Sequence, residues 1–308
     1  MDGLLIVNKP KGMTSHDVVD RLRRIFGISK IGHTGTLDPD ATGVLSVCIG
    51  KATKLAQYTS ESEKEYRVVM KLGEVTDTQD ASGRVIKEAM DFDITTENIL
   101  EAFKKFTGTI NQIPPMYSAV KVGGTPLYKM ARKGKEIARE PREINIKEIN
   151  LIDYSDRFVK FDVVCSKGTY VRTLCNDIGE YLGVGAHTYS LERLASGPFN
   201  IKDSFTIDEV EGLYKTGHIE SRLISLEGMI AWMPCVKVKS SWDGAVKNGR
   251  SIPSEAIKEV TGKFSKDNRV RIMGSEGELL SIGTSLYDSD EIMNILDENV
   301  LKVERVLV

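Results

Sequence analysis

The chain has 308 residues, 41% hydrophobic and 28% charged, with a formal net charge of -2. That balance belongs to globular proteins with a full core and excludes a disordered or fibrous chain. No apolar run approaches the length of a membrane span, and the near-neutral total carries no global sign of a nucleic-acid partner.

The opening, MDGLLIVNKPKGMTS, has no basic region ahead of an apolar core, so it does not read as a secretory signal and a cytoplasmic location is expected. LLIV reads as a strand. SHDVVDRLRRIFG follows as an amphipathic helix with Val18, Leu22, Ile25 and Phe26 on one face and Ser15 as its expected N-cap. Next come the loop GHTGTLDPDATG and the apolar run VLSVCIG, a short buried strand. KEYRVVMKLG alternates, placing Tyr66, Val68 and Met70 on one face. TDTQDASGR is polar and turn-rich, and TENILEAFKKFTG is a helix with Ile99, Leu100, Phe103 and Phe106 as its stripe.

IPPMYSAVKVGG reads as a loop leading into the basic segment 126–142, predicted as a short helix ending near Gly134. Six Lys or Arg stand against two Glu there, which suits either a solvated face or a phosphate backbone. FVKFDVVC points Val159, Phe161, Val163 and Cys165 inward as a half-buried strand. After the turn SKGTY a helix carries Val171, Leu174, Ile178 and Leu182, with Tyr170 and Arg172 at its N-terminal end. Beyond residue 235 the chain becomes helix-poor, with strands expected at RVRIM, ELLSIG and VLKVERVLV. The expected architecture is a mixed α/β domain over 1–235 and a small, mostly β domain over 236–308. The four cysteines form no C-x-x-C pair and read as reduced core residues.

The loop GHTGTLDPDATGVL carries the strongest chemical signal. Its glycines permit unusual backbone angles, and Pro39 fixes its own angle and restricts Asp38. Asp38 therefore sits in a stiff loop mounted on a strand. A calcium loop fails because its twelfth position falls on Ile49, where a bidentate Glu is required. A phosphatase with an aspartate nucleophile would match Asp38, Asp40 and Thr42. Its aspartate would have to end a buried strand, which KIGHTGTL is not.

The same loop, together with GLLIVNKPKGMTS, EKEYRVVMKLG, IPPMYSAVK, CSKGTYVRTL and GAHTYSLERL, resembles the TruB family of bacterial tRNA pseudouridine synthases along the whole chain. The resemblance implies an α+β fold: a mixed, largely antiparallel sheet flanked by helices, with a C-terminal PUA-like RNA-binding domain. It implies isomerisation of the T-loop uridine at position 55 of tRNA to pseudouridine, with no metal or organic cofactor. The partner it implies is the tRNA T-arm, and no membrane; a monomer is expected. By family position Asp38 is the catalytic carboxylate, Arg172 its ionic partner, and Tyr66 the tyrosine against the target base. Tyr170 and Leu191 line the uracil pocket, His33 is the residue inserted beside the flipped nucleotide, and Asp40 has no catalytic role. The segment 125–142 corresponds to an RNA-contacting insertion expected to be mobile without RNA. An RNA-binding factor without chemistry would keep the basic surfaces and His33 while dispensing with Asp38, Tyr66 and Arg172.

Overall fold

A computed structural model describes residues 1–59, 63–131 and 133–308. The main sheet is built from β1 (Gly3–Lys9), β2 (Ile31–His33), β3 (Thr42–Ile49), β4 (Lys64–Leu72), β7 (Gly108–Gln112), β10 (Arg142–Ser155), β11 (Phe158–Cys165), β12 (Ala186–Ser196) and β13 (Phe199–Asn200). Two small hairpins interrupt it, β5 (Glu74–Thr76) with β6 (Val85–Glu88) and β8 (Lys121–Val122) with β9 (Thr125–Pro126). Its order is β1-β3-β12-β4-β11-β10-β7, with β2 beside β3 and β13 beside β12. Every pairing is antiparallel except β12 with β3, so the sheet is mixed and largely antiparallel as the motifs imply.

Helices pack against this sheet. α1 (Ser15–Phe26) buries Val18, Val19, Leu22 and Phe26, which pack with Leu5, Val7, Leu45 and Val47 of the strands below. Its N-cap is Thr14, one residue earlier than Ser15: the Thr14 hydroxyl accepts from Asp17 N and the Asp17 carboxylate reaches back to Thr14 N, a capping box. Ser15 is freed for another task, donating to Leu37 O and accepting from Leu37 N at the edge of the aspartate loop.

After the short α2 (Ala56–Thr59), the second helical layer comprises α3 (Thr96–Phe106) and α5 (Val171–Tyr181), with the short α4 (Leu127–Ala131) between them in sequence. α3 turns Ile99, Ala102 and Phe103 inward, whereas Leu100 is 49% exposed. At 100° per residue Leu100 lies off the stripe and Ala102 takes the inward place. The alternation of β4 and β11 holds, with Val68, Met70, Val159, Phe161, Val163 and Cys165 buried in one core under α3 and α5. The basic segment forms α4, which ends in a turn with Gly134 in the left-handed region at φ 68°. Arg132 lies outside the described residues.

From Cys235 a second, six-stranded sheet begins: β14 (Cys235–Val238), β15 (Ile252–Pro253), β16 (Ile257–Thr261), β17 (Arg269–Met273), β18 (Leu279–Ser285) and β19 (Asn299–Val306). The three strand segments expected from sequence are β17, β18 and β19. This sheet has its own core around Val236, Val270, Ile272 and Leu301. Ile282 and Leu307 join a core shared with Leu4, Ile6 and Val44 of the main sheet. Among the described residues no helix is long and apolar enough to cross a membrane.

Candidate active site

Asp38 lies in the loop between β2 and β3, not at the end of a buried strand, so the placement a phosphatase needs is absent here. The loop is fastened from beneath. Lys9, fully buried at the end of β1, donates through Nζ to Pro39 O at 2.9 Å, Met13 O at 2.6 Å and Pro10 O at 3.0 Å. Burial lowers its pKa to about 8, against the opposing pull of Asp38 and Asp40. On the other side Leu37 is buried and held by Ser15. Gly43 closes the loop at φ 98°, where a Cβ would stand 2.3 Å from Arg193 O on β12; only glycine lets β3 and β12 approach.

Opposite Asp38, in the first turn of α5, Arg172 is 6% exposed. Its Nε lies 2.8 Å from Asp38 Oδ2 and its Nη2 3.4 Å from Asp38 Oδ1, a side-on fork. Nη2 also donates to Tyr117 O at 2.8 Å, and Nη1 to Thr78 O at 3.1 Å and Asp80 Oδ2 at 3.3 Å. A helix N-terminus disfavours a cation, and two carboxylates and two carbonyls compensate here. Asp38 itself is pushed above the ordinary carboxylate range by burial and by Asp80, while Arg172 and Lys9 hold it down.

Asp80 was not foreseen. The turn that carries it, between β5 and β6, gave only a polar, glycine-containing signal in sequence. Its Oδ1 accepts from the Thr78 hydroxyl at 2.7 Å and from Ser82 N at 3.0 Å, leaving Oδ2 for Arg172. The turn is pinned to β12 by Ala81 N to Thr188 O and Thr188 N to Gln79 O. Gln79, in the left-handed region at φ 64°, accepts through its side chain from the Thr173 hydroxyl at 2.8 Å. The IPPMYSAVK loop, contributing Tyr117 O, is likewise more than a linker.

Asp38, Asp80, Arg172 and Leu191 line one pocket of about 100 Å³, together with Lys11 and Tyr189. Asp40 also borders it but is exposed, with no ion pair among the described residues. Tyr66 does not line this pocket. It sits on β4 beside Leu191 and Arg193 of β12, half-buried against the core beneath α5. Burial raises its pKa, which the Arg193 charge opposes. Tyr170 caps α5 from outside the pocket. Its backbone is clamped by the buried Gln112 side chain, which accepts from Tyr170 N at 2.8 Å and donates to Tyr170 O at 3.1 Å. His33, on β2, is half-buried, and burial and then Arg193 lower its pKa, favouring the neutral ring.

Among the described residues no cluster of three or more His, Cys, Asp or Glu could hold a metal. The cysteines are free; burial pushes Cys48, Cys165 and Cys175 up to about 12, leaving inert thiols.

Three family models match in series: the N-terminal domain of the TruB family of pseudouridylate synthases over residues 23–171, a tRNA pseudouridylate synthase B C-terminal domain over 172–231, and a PUA domain over 234–307. A tRNA pseudouridine synthase B of Clostridium perfringens is 41% identical over 310 residues, covering 100% of this chain and 99% of the relative. That of Geobacillus thermodenitrificans is 46% identical over 256 residues, 81% and 85% of the two chains. Among solved structures, an H/ACA RNP bound to a substrate RNA containing 2'-deoxyuridine matches with TM-score 0.79 and 27% identity, covering 99% of this chain and 85% of that one. A Cbf5-Nop10-Gar1 complex matches with TM-score 0.79 and 30% identity, covering 99% and 85%.

Proposed function

This chain belongs to the TruB family of pseudouridylate synthases, and from that premise we propose that it isomerises the T-loop uridine at position 55 of tRNA to pseudouridine without metal or organic cofactor. The observation that carries the proposal is the Asp38–Arg172 fork in a pocket at the sheet's centre. The reaction cuts the bond between N1 and the ribose, turns the uracil while it is bound, and joins C5 to the sugar.

An ionised carboxylate placed against the nucleotide serves as nucleophile or as base on the ribose. Burial favours the neutral acid, and a fixed guanidinium opposes that shift because it stays charged. In this reading Asp38 is the catalytic group and Arg172 keeps it ionised and aimed, with Asp80 fixing Arg172 in turn. Leu191 and Tyr170 hold the base, and Tyr66 takes the C5 proton at the end.

The target must leave its stack in the folded T-loop, at a cost of a few kcal/mol. His33 fills the gap as a neutral ring. Residues 1–235 form the catalytic unit, whose basic segment 125–142 folds over the RNA, and residues 236–308 bind RNA as a PUA-type domain. The protein acts as a monomer in the cytoplasm.

The test is incubation with unmodified tRNA transcript and mapping of pseudouridine. Product at position 55 supports the proposal; an unmodified T-loop, or full activity in Asp38→Asn, overturns it. Tight T-arm binding with zero turnover would instead favour an RNA-binding factor without chemistry.

A further inference from the structure

Arg193 has no part in the reaction as described above, yet it is 3% exposed and packs against the loop that carries Asp38. It stands on β12 at the register position shared by Tyr66 on β4 and Gly43 on β3. Its Nε donates to Val44 O at 2.7 Å and its Nη2 to Gly35 O at 3.3 Å, one carbonyl on each side of the Asp38 loop. The Tyr66 phenol is its cross-strand neighbour on β4, and the Arg193 charge favours the anionic form of that phenol against the effect of burial.

Its hydrogen-bond partners are two carbonyls, with a phenol as cross-strand neighbour, and among the described residues no carboxylate forms an ion pair with it. A buried guanidinium is stable only where its charge is answered. With dipoles alone around it, Arg193 favours any negative charge that arises on a neighbouring atom. Tyr66 is the neighbouring group able to carry one, and Asp38 on the far side disfavours it.

We infer that Arg193 is a positioning residue for the last proton transfer, holding the Tyr66 oxygen at the base and carrying the counter-charge while that oxygen is anionic. The inference rests on the reading of Tyr66 as the group that meets C5. Once C5 is bonded to the sugar, the C6–N1 bond is double and the Tyr66 phenol gives its proton to N1, leaving a phenolate beside Arg193. The C5–H bond then breaks, its proton passes to that phenolate, and the electron pair forms the C5–C6 double bond as the C6–N1 bond becomes single. Tyr66 begins and ends as the phenol, so nothing is oxidised and no co-reactant is needed.

The test compares Arg193→Met and Arg193→Lys with the unsubstituted enzyme in single turnover, on tRNA transcripts carrying hydrogen or deuterium at uridine C5. The expected result for Arg193→Met is a rate lower by on the order of 10²-fold, unchanged RNA affinity, and a primary isotope effect larger than in the unsubstituted enzyme. Arg193→Lys, which keeps the charge, should lie between the two. In a Tyr66→Phe background Arg193→Met should slow turnover little further. A slower rate with the isotope effect of the unsubstituted enzyme in both variants would mean that Arg193 only shapes the loop, and would overturn the inference. If Arg193→Met does not fold, Arg193→Lys decides by the same readout. Failure of the unsubstituted enzyme to form pseudouridine would refute the proposed function instead.

Discussion

Arg172 Nε stands 2.8 Å from Asp38 Oδ2 while Arg172 Nη1 reaches Asp80 Oδ2, so one guanidinium is held between two carboxylates that line the same pocket. Arg172→Met should therefore remove the fork without emptying the RNA surface. The expected outcome is a loss of turnover on the order of 10²-fold or more with RNA affinity within a few-fold, because an interaction that acts mainly in the transition state lowers kcat rather than binding. Arg172→Lys should recover only part, since an ammonium cannot reproduce the side-on pair. Equal activity in all three proteins, measured by pseudouridine formation, would remove Arg172 from the mechanism.

The pH dependence has a definite sign. Burial and Asp80 raise the Asp38 pKa, so the working carboxylate is lost as pH falls through a value above the ordinary carboxylate range. The acid limb of kcat/KM should lie correspondingly high. Arg172→Met removes a stabilising cation and should move that limb to higher pH; Asp80→Asn removes a like charge and should move it lower. Shifts in the same direction for both variants would contradict this electrostatic picture.

Asp80 also braces Arg172, so Asp80→Asn should lower kcat as well as shift the limb. An amide still accepts from Thr78 and Ser82 but meets Arg172 without charge. The expected loss is smaller than that of Asp38→Asn, because Arg172 keeps Thr78 O and Tyr117 O. A kcat equal to the unsubstituted enzyme's would show the Asp80 contact to be incidental.

What could be read in sequence divides along physical lines. Strands β4 and β11 and helices α1 and α5 announced themselves through periodicity, since each buries one face against one core. Asp38 stood out because glycine and proline surround it, and Arg172 because it holds a family position in the motif GTYVRT. Asp80 was hidden: an acid in a polar turn is ordinarily a solvated turn former, and only the pairing of Ala81 and Thr188 brings it to the site. Lys9 and Arg193 were missed for a related reason. Long cations are rarely fully buried, and their partners are backbone carbonyls, which leave no trace in residue type.

Lys9 should behave as a structural fastener. Lys9→Met deprives three carbonyls of one shared donor, and each buried acceptor left unsatisfied costs roughly 1–3 kcal/mol. A lower Tm is expected, together with a fall in kcat, because Pro39 O adjoins Asp38. A variant with unchanged Tm and unchanged turnover would show that the loop holds its shape without this anchor.

His33 offers a test of the wedge. Its ring is half-buried at the edge strand β2, its Nδ1 has no hydrogen-bond partner among the described residues, and burial and Arg193 favour the neutral form. A neutral ring suits stacking against bases rather than pairing with phosphate. Loss of such a stack is worth about 1–3 kcal/mol, on the order of 10-fold or more in KM. His33→Ala should therefore raise KM while leaving the Asp38 acid limb in place, and His33→Phe should recover most of the affinity, since it restores an aromatic face without titratable nitrogen. If His33→Phe is as impaired as His33→Ala, stacking is not what His33 provides, and a hydrogen bond from the imidazole to the RNA becomes the better account.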